Sequence, residues 1–292
     1  IIRKLFGTKP KVFRNTELIY NNELGRTMSD LGYQGVLAEG ADKILGWRSP
    51  NFLYHPPGLP KLKILPKNYR LSDDIAFRFS ESSWDGFPLT AEKFADWVSK
   101  ANGNGHVVNL FMDYETFGEH QWKETGIFEF LRALPGEILK HKDNDFVTPS
   151  EAIARYPTMG EFNCPEIISW ADVERDMSAW VGNDIQRAAA EYIYELEEAV
   201  LKTKDKSIIE DWRKLQTSDH FYYMCTKWFN DGDVHKYFNP YSSPYDAFIN
   251  YMNILNDLIL RIEEKTKTKV TSPKLAEFRL KLKNRGETHG EA

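Results

Sequence analysis

The sequence has few cysteines, no long apolar run and no excess of positive charge. Its two cysteines, Cys164 and Cys225, stand far apart and lack the spacing of a zinc site or of a small disulfide scaffold. No apolar run reaches the roughly 20 residues that span a bilayer. The net charge of −5, with lysine and arginine spread along the chain, disfavours a nucleic-acid partner. We therefore expect a soluble cytoplasmic protein with free thiols, no membrane or nucleic-acid partner, no bound metal and no cofactor.

The chain is long enough for one large domain or two smaller ones. Its 292 residues are 41% hydrophobic, which suffices for a sizeable core. Aromatic residues make up 14% of the chain, and eight of them are tryptophan. Sugar rings stack well on such side chains, although most of these rings are expected in the core.

The most informative stretch covers residues 107–120. Residues 107–112 form an almost continuous apolar run, which predicts a strand buried on both faces of a parallel sheet. Asp113 ends this run, and side chains just past the carboxyl ends of parallel strands line the ligand site of α/β folds. Three further ionisable residues follow, Glu115, Glu119 and His120. Their concentration favours a functional site over an ordinary acidic loop.

A second carboxylate occupies a similar position earlier in the chain. Residues 35–38 predict a buried strand, and Glu39 follows it directly. Strand patterns alternate with helical patterns through residue 156, which favours an α/β fold with a parallel, barrel-like sheet. The other predicted strands are residues 11–13, 62–65 and 145–148. If these strands are neighbours, Glu39 and Asp113 point into one crevice.

After residue 156 the pattern becomes helical. Residues 185–202, 208–229 and 245–265 are each apolar at a spacing of about 3.6 residues. We therefore predict a sheet domain over residues 1–156, a linker or cleft-lining segment over 157–184, a three-helix bundle over 185–265 and a solvated tail over 266–292.

Two carboxylates at strand ends suit glycoside hydrolysis. In a retaining enzyme, one carboxylate attacks the anomeric carbon while the other donates a proton and later removes one. This hypothesis needs the side chains of Glu39 and Asp113 to face one sugar pocket about 5–5.5 Å apart, on the same side of the sheet and with neither buried in a salt bridge sealed from solvent. A chain with 43 acidic residues also offers such pairs by accident, so spacing alone leaves the question open.

Three segments resemble signature regions of glycoside hydrolase family 57. Residues 112–120 (MDYETFGEH) resemble its fourth region, residues 37–40 (LAEG) its third, and residues 170–183 (WADVERDMSAWVGN) its fifth. Residues 215–224 (LQTSDHFYYM) are similar to a segment of its α-amylase group. The resemblance implies a (β/α)7 barrel followed by a helical domain.

The resemblance also implies an activity. Glu39 would be the nucleophile and Asp113 the acid/base of a retaining enzyme that acts on α-1,4-glucans such as starch, glycogen and maltooligosaccharides. Whether it hydrolyses them or transfers sugars to another sugar stays open, because both outcomes use the same carboxylates.

One family feature is missing from the sequence. None of the seven histidines begins the His-x-His-Gln-Pro region with which the family opens. We therefore expect a partial barrel that lacks its N-terminal strands and that a separate chain or a missing N-terminal segment completes. The fragment alone is expected to be inactive if those strands supply sugar contacts.

Other side chains are candidates for contacts to sugar. The candidates are Trp47, Glu115, His120, Trp122, Asp176, Trp180 and His220, with Trp84 and Trp228 as further stacking surfaces. Each has an ordinary structural alternative: a helix cap for Asp176 and a place in the core for Trp180, His220 and Trp228.

Two other classes of function fit the same residues. Asp113, Glu115, Glu119 and His120 could bind a divalent metal in a polysaccharide deacetylase, although no histidine pair at ligand spacing accompanies them. Alternatively, the chain could be a carbohydrate-binding relative that has lost catalysis.

Overall fold

The computed structural model describes residues 2–227 and 234–270. The chain divides into two compact units, residues 1–170 and residues 171 onward. Residues 157–170, expected to belong to a linker, lie within the first unit.

The first unit contains a mixed sheet. Its strands are Val12–Arg14 (β1), Gly35–Ala38 (β2), Leu53–His55 (β3), Lys63–Pro66 (β4) and Thr158–Glu161 (β5), in the order β1-β2-β4-β3-β5. Strands β1, β2 and β4 run parallel to one another, whereas β3 is antiparallel to β4 and parallel to β5. The α/β class and the first three predicted strands are confirmed, but the sheet is not purely parallel.

Strand β2 lies inside the sheet, between β1 and β4. All four of its residues are buried. Val36 packs into one apolar cluster and Leu37 into another, because alternate side chains of a strand point to opposite faces. Both faces of this part of the sheet are therefore covered, as the apolar run of β2 predicts.

Seven α-helices accompany the sheet in the described part of the first unit. They are Ile2–Phe6 (α1), Asn22–Asp30 (α2), Asp42–Leu45 (α3), Tyr69–Ala76 (α4), Ala91–Ser99 (α5), Ile127–Lys140 (α6) and Pro149–Arg155 (α7). Thr90 accepts a hydrogen bond from the backbone N–H of Lys93 and caps α5. Thr148 and Glu151 form a capping box at α7.

Two predicted strands are wrong. Residues 107–112 form no strand, because their backbone bonds go to loop and helix residues: the N–H groups of His106 and Val107 donate to the carbonyl of Asn51, and the N–H of Phe111 donates to the hydroxyl of Ser72. Residues 145–148 form no strand either, since Thr148 serves as the cap of α7. Strands β3 (LYH) and β5 (TMGE) were not predicted, because neither is a run of apolar residues.

The second unit is helical. Its described helices are Ser178–Val181 (α8), Asp184–Glu195 (α9), Glu197–Thr203 (α10), Lys206–Lys214 (α11), Ser218–Tyr222 (α12), Val234–Tyr237 (α13) and Pro244–Thr266 (α14). Two predicted long helices are interrupted: α9 gives way to α10 at Leu196, and α11 ends before α12 begins. The apolar period continues across both breaks because Leu196 and Leu215 stay buried in the same core.

The single helix predicted at residues 245–265 is confirmed as α14. Trp228, the end of the helix predicted to reach residue 229, and the tail from residue 271 lie outside the described residues. In the part of the chain that is described, no helix is long and apolar enough to cross a membrane.

Candidate active site

Glu39 and Lys67 follow the carboxyl ends of two neighbouring parallel strands. The backbone N–H of Lys67 donates to the carbonyl of Ala38 over 2.8 Å, which extends the pairing of β2 with β4 by one residue. The ammonium of Lys67 lies 3.8 Å from Oε2 of Glu39 and 3.5 Å from Oδ1 of Asp73, a residue of α4. Both Glu39 and Lys67 are buried, with Glu39 at 0% exposure. The buried carboxylate is thus compensated by a buried ammonium.

Gly40 allows the two strand ends to approach this closely. A Cβ at this position would lie 2.1 Å from the carbonyl oxygen of Lys67 and 3.2 Å from Cβ of Pro50. Since no side chain fits there, glycine directly after Glu39 is a steric requirement of the site.

Asp113 reaches the same edge of the sheet without a strand. The N–H of Asn68 donates to the carbonyl of Asn109 over 2.8 Å, and the side-chain amide of Asn109 donates to the carbonyl of Pro66 over 2.9 Å. These bonds tie the segment before Asp113 to the carboxyl end of β4. Hydrogen bonds between loop residues, and not pairing with a neighbouring strand, therefore hold the segment before Asp113 at the expected edge of the sheet.

The surroundings of Asp113 suit a group that exchanges protons. Partial desolvation raises the pKa of Asp113 above its ordinary value, and the charge of Glu115 raises it further. The charges of His120, Arg14 and Lys67 oppose this rise. The side chain nevertheless remains exposed. Asp113 is thus a solvent-accessible carboxyl that holds its proton to higher pH than a free aspartate does.

The charge of Lys67 acts on both candidate catalytic carboxylates. Its ammonium forms an ion pair with Glu39, and its charge acts on the pKa of Asp113. Asp113 is exposed, whereas Glu39 is fully buried in an ion pair with Lys67, so the condition that neither carboxylate is sealed in a salt bridge is not met in this conformation. The separation of about 5–5.5 Å that a retaining mechanism needs stays a prediction.

Trp170 lies against the same cations. Its ring centroid is 4.8 Å from the ammonium of Lys67 and 5.0 Å from the guanidinium carbon of Arg14. Its indole N–H donates to Oε2 of Glu17 over 2.6 Å. Cation–π contacts and this hydrogen bond fix the ring in place.

Arg14, Glu17, Lys67 and Trp170 also belong to this site and are not among the residues predicted from the sequence. Arg14 is the last residue of β1 and Lys67 directly follows β4. The strand-end rule that selected Glu39 could have found both of them. Glu17 follows no predicted strand directly, and it is far from Trp170 in the chain although the two side chains are hydrogen-bonded.

Four of the predicted sugar contacts belong to the first unit. Glu115 and His120 act electrostatically on Asp113, and the N–H of His120 donates to the carbonyl of Glu115. Trp47, just after α3, is 95% exposed, and Trp122 is 65% exposed. Tyr114, which was not singled out, is 96% exposed beside Asp113. These exposed rings are available for stacking, and their contacts to sugar stay predictions.

The other three predicted sugar contacts belong to the helical unit. Asp176 accepts a hydrogen bond from the backbone N–H of Ser178, the first residue of α8. Trp180 is buried in the helical core, and the ring of His220 packs 5.6 Å from that of Tyr251. Trp180 thus occupies the core position named as its alternative, whereas His220 is only half-buried. A role in sugar binding stays a prediction for all three.

A metal centre finds no support among the residues that the structure describes. Within them, no group of three or more histidine, cysteine, aspartate or glutamate side chains is arranged to hold a metal ion. The acidic segment that begins at Asp113 therefore offers no described metal-ligand set.

Comparison with known proteins gives the family. The model of glycosyl hydrolase family 57 matches residues 1–167, which is more than half of the chain. The chain belongs to glycosyl hydrolase family 57. This confirms the predicted family, and residues 37–40 and 112–120 lie within the matched range. A Methanocaldococcus jannaschii protein, named provisionally as an alpha-amylase, is 49% identical over 272 residues, which cover 90% of this chain and 57% of that protein.

Two solved structures of family 57 branching enzymes share the fold. The enzyme from Thermococcus kodakaraensis matches with a TM-score of 0.59 and 15% identity, over 94% of this chain and 63% of its own. The enzyme from Pyrococcus horikoshii matches with a TM-score of 0.62 and 14% identity, over 94% of this chain and 62% of its own. The chain therefore spans less than two thirds of the length of these relatives.

Proposed function

We propose that the protein containing this chain is a retaining glycosidase or transglycosylase that acts on α-1,4-glucans. The main observation is that Lys67, at the carboxyl edge of a family 57 sheet, forms an ion pair with Glu39 and acts electrostatically on Asp113. The names of the relatives, an alpha-amylase and branching enzymes, support α-glucans as the substrate class.

In the proposed mechanism the two carboxylates have separate roles. Asp113 donates its proton to the glycosidic oxygen as the leaving sugar departs, while the carboxylate of Glu39 attacks the anomeric carbon and forms a glycosyl ester. Asp113, now ionised, then removes a proton from water or from a sugar hydroxyl, which attacks the ester and releases Glu39. The raised pKa of Asp113 favours the first proton transfer.

This mechanism requires Glu39 to become accessible. In the present conformation the carboxylate is buried beside Lys67, so a sugar reaches it only after the groups that cover it move. Asp73 offers the ammonium a second acceptor at 3.5 Å. The lysine side chain therefore has an alternative ionic partner if a substrate displaces it from Glu39.

We also propose that the described sheet is part of a (β/α)7 barrel with a following helical domain. The parallel strands β1, β2 and β4 and their covering helices support this arrangement, and β1 lies at one end of the described sheet. The remaining strands would come from a separate chain or from a further segment of the same protein. The barrel must be complete in the activity assays below.

Glu39→Gln tests the nucleophile. With maltooligosaccharides as substrate and products resolved by length, we expect turnover to fall roughly 1,000-fold or more. Products that are only shorter indicate hydrolysis, and longer products indicate transfer. Glu161→Gln, at the end of β5, removes a strand-end carboxylate that is not in the proposed mechanism and should leave turnover unchanged. Wild-type turnover in the Glu39→Gln variant would remove Glu39 as the nucleophile.

A covalent label offers a direct test of the retaining mechanism. A fluorinated α-glucosyl fluoride should form a stable ester with the nucleophile, and peptide mass spectrometry should locate it on Glu39. Labelling of another carboxylate would contradict the assignment.

A carbohydrate-binding protein without catalysis is the second candidate function. It is favoured by the burial of Glu39 in an ion pair together with the exposure of Trp47, Tyr114 and Trp122. Calorimetric binding of maltooligosaccharides without any turnover by the wild-type protein would support this candidate over the enzyme.

A further inference from the structure

We propose that Lys67 is a positioning residue for the proposed reaction, with its ammonium compensating and orienting the carboxylate of Glu39. The expected effect of Lys67 on turnover rests on the proposed function. The ion pair itself can be tested without turnover.

The burial of Glu39 makes a nearby cation necessary. A carboxylate without contact to water is strongly destabilised unless a positive charge or hydrogen bonds compensate it. Lys67 lies in ion-pair range of Glu39, at 3.8 Å, and its own side chain is only 7% exposed. Removing the ammonium would therefore leave a buried charge without its ionic partner.

The backbone and the neighbours of Lys67 fix where its ammonium lies. Its N–H is bonded to the carbonyl of Ala38, and its carbonyl lies against Gly40, so its backbone is held next to Glu39. The ammonium is further held by Asp73 and by the ring of Trp170. A flexible lysine side chain is thus confined to one place, as a group that orients a reacting carboxylate must be.

The same ammonium also affects the proton donor. Its positive charge acts against the rise in the pKa of Asp113. The charged groups around Lys67 are Glu39, Asp73, Asp113 and Arg14. Loss of the ammonium should therefore favour the protonated form of both candidate catalytic carboxyls.

The first experiment compares Lys67→Met with Lys67→Arg in the protein with a complete barrel. We expect Lys67→Met to lower kcat about 10- to 100-fold while KM stays within about threefold, as for the loss of other groups that orient a reacting one. Both limbs of the pH profile of kcat/KM should move to higher pH, because the nucleophile must be ionised and the acid protonated. Lys67→Arg keeps the charge and should retain the wild-type limbs.

Lys63→Met is the matched control. Lys63 begins the same strand, and its ammonium donates to the carbonyl of Ile153 over 2.6 Å. This variant removes a structural lysine and should leave both limbs of the pH profile in place. Unchanged limbs in Lys67→Met would overturn the positioning role.

The second experiment measures thermal unfolding of Lys67→Met, Glu39→Gln and the double variant from about pH 5 to about pH 9. Lys67→Met should lose more stability at the basic end, where the buried Glu39 must carry its charge without the ammonium of Lys67. This pH dependence should disappear in the double variant. If it persists there, the ion pair is not the cause. If the coupling is found but the wild-type protein shows no turnover, the proposed function fails while the Lys67–Glu39 pair stands.

Discussion

Gly40→Ala tests whether the positions of Glu39 and Lys67 depend on the close approach between the ends of β2 and β4. The added Cβ would lie 2.1 Å from the carbonyl oxygen of Lys67, a distance that real Cβ atoms essentially never show. Because the clash is with backbone, it cannot be relieved by rotating a side chain. The strand ends must separate, and the hydrogen bond from Lys67 to Ala38 must lengthen or break.

The expected loss of stability follows from this overlap. Overpacking against a fixed backbone destabilises by about 1–3 kcal/mol. For a protein of this size, that loss lowers the melting temperature by about 2–12 °C. Displacing Glu39 by about 1 Å would also reduce turnover by roughly 100-fold. Differential scanning calorimetry and the maltooligosaccharide assay measure the two effects.

Gly136→Ala provides the control. Gly136 lies within α6, and a Cβ there would meet nothing within 4 Å. Since alanine favours a helix more than glycine does, this variant should be neutral or more stable by up to about 1 kcal/mol. If Gly40→Ala melts and turns over like the wild-type protein, Glu39 and Lys67 do not depend on the close approach at Gly40.

The remaining predictions concern protonation. In Glu115→Gln, loss of a negative charge should lower the pKa of Asp113, so the basic limb of the activity profile should move to lower pH; a limb that stays in place would contradict this. In the helical unit, burial opposes protonation of His235, but its hydrogen bond to Asp172 and its contacts with Cys225 raise the pKa from 6.5 to about 9. Its stabilisation should therefore be complete below about pH 6.5 and disappear as the pH rises through about 9. In thermal unfolding, His235→Gln should be less stable than wild type near pH 6 and equal to it above pH 9. The control His220→Gln should keep the wild-type pH dependence. An equal loss of stability at every pH in His235→Gln would refute the assignment.

The sequence predicted the helices and strands that local features, such as an apolar run, a cap or a regular apolar spacing, are sufficient to determine. The strand before Glu39 is confirmed because Gly35–Ala38 is apolar and lies inside the sheet, where both faces are covered. Helix α5 begins where Thr90 offers a cap, and α14 keeps one apolar period over its full length. The signature segments also identified the family correctly, because they are local strings of residues.

The wrong predictions share one cause. The apolar run before Asp113 resembles a buried strand, but its N–H groups bond to Asn51 and Ser72 instead of to a neighbouring strand. Strand formation depends on the partner, which a single apolar run does not specify. In the same way, Leu196 lies at the break between α9 and α10 but is buried in the same core as the residues of both helices. The apolar spacing therefore continues across the break and does not reveal it.

By itself, the sequence determined the order of many elements, the family, and the choice of Glu39 and Asp113 as candidates. Only the tertiary structure showed that Glu39 is buried against Lys67, that Gly40 permits this contact, and that Trp170 lies against the same ammonium. Lys67 and Trp170 are separated by about a hundred residues in the chain, so no local pattern relates them. Charge compensation and burial depend on which groups meet in space, and folding alone brings those groups together.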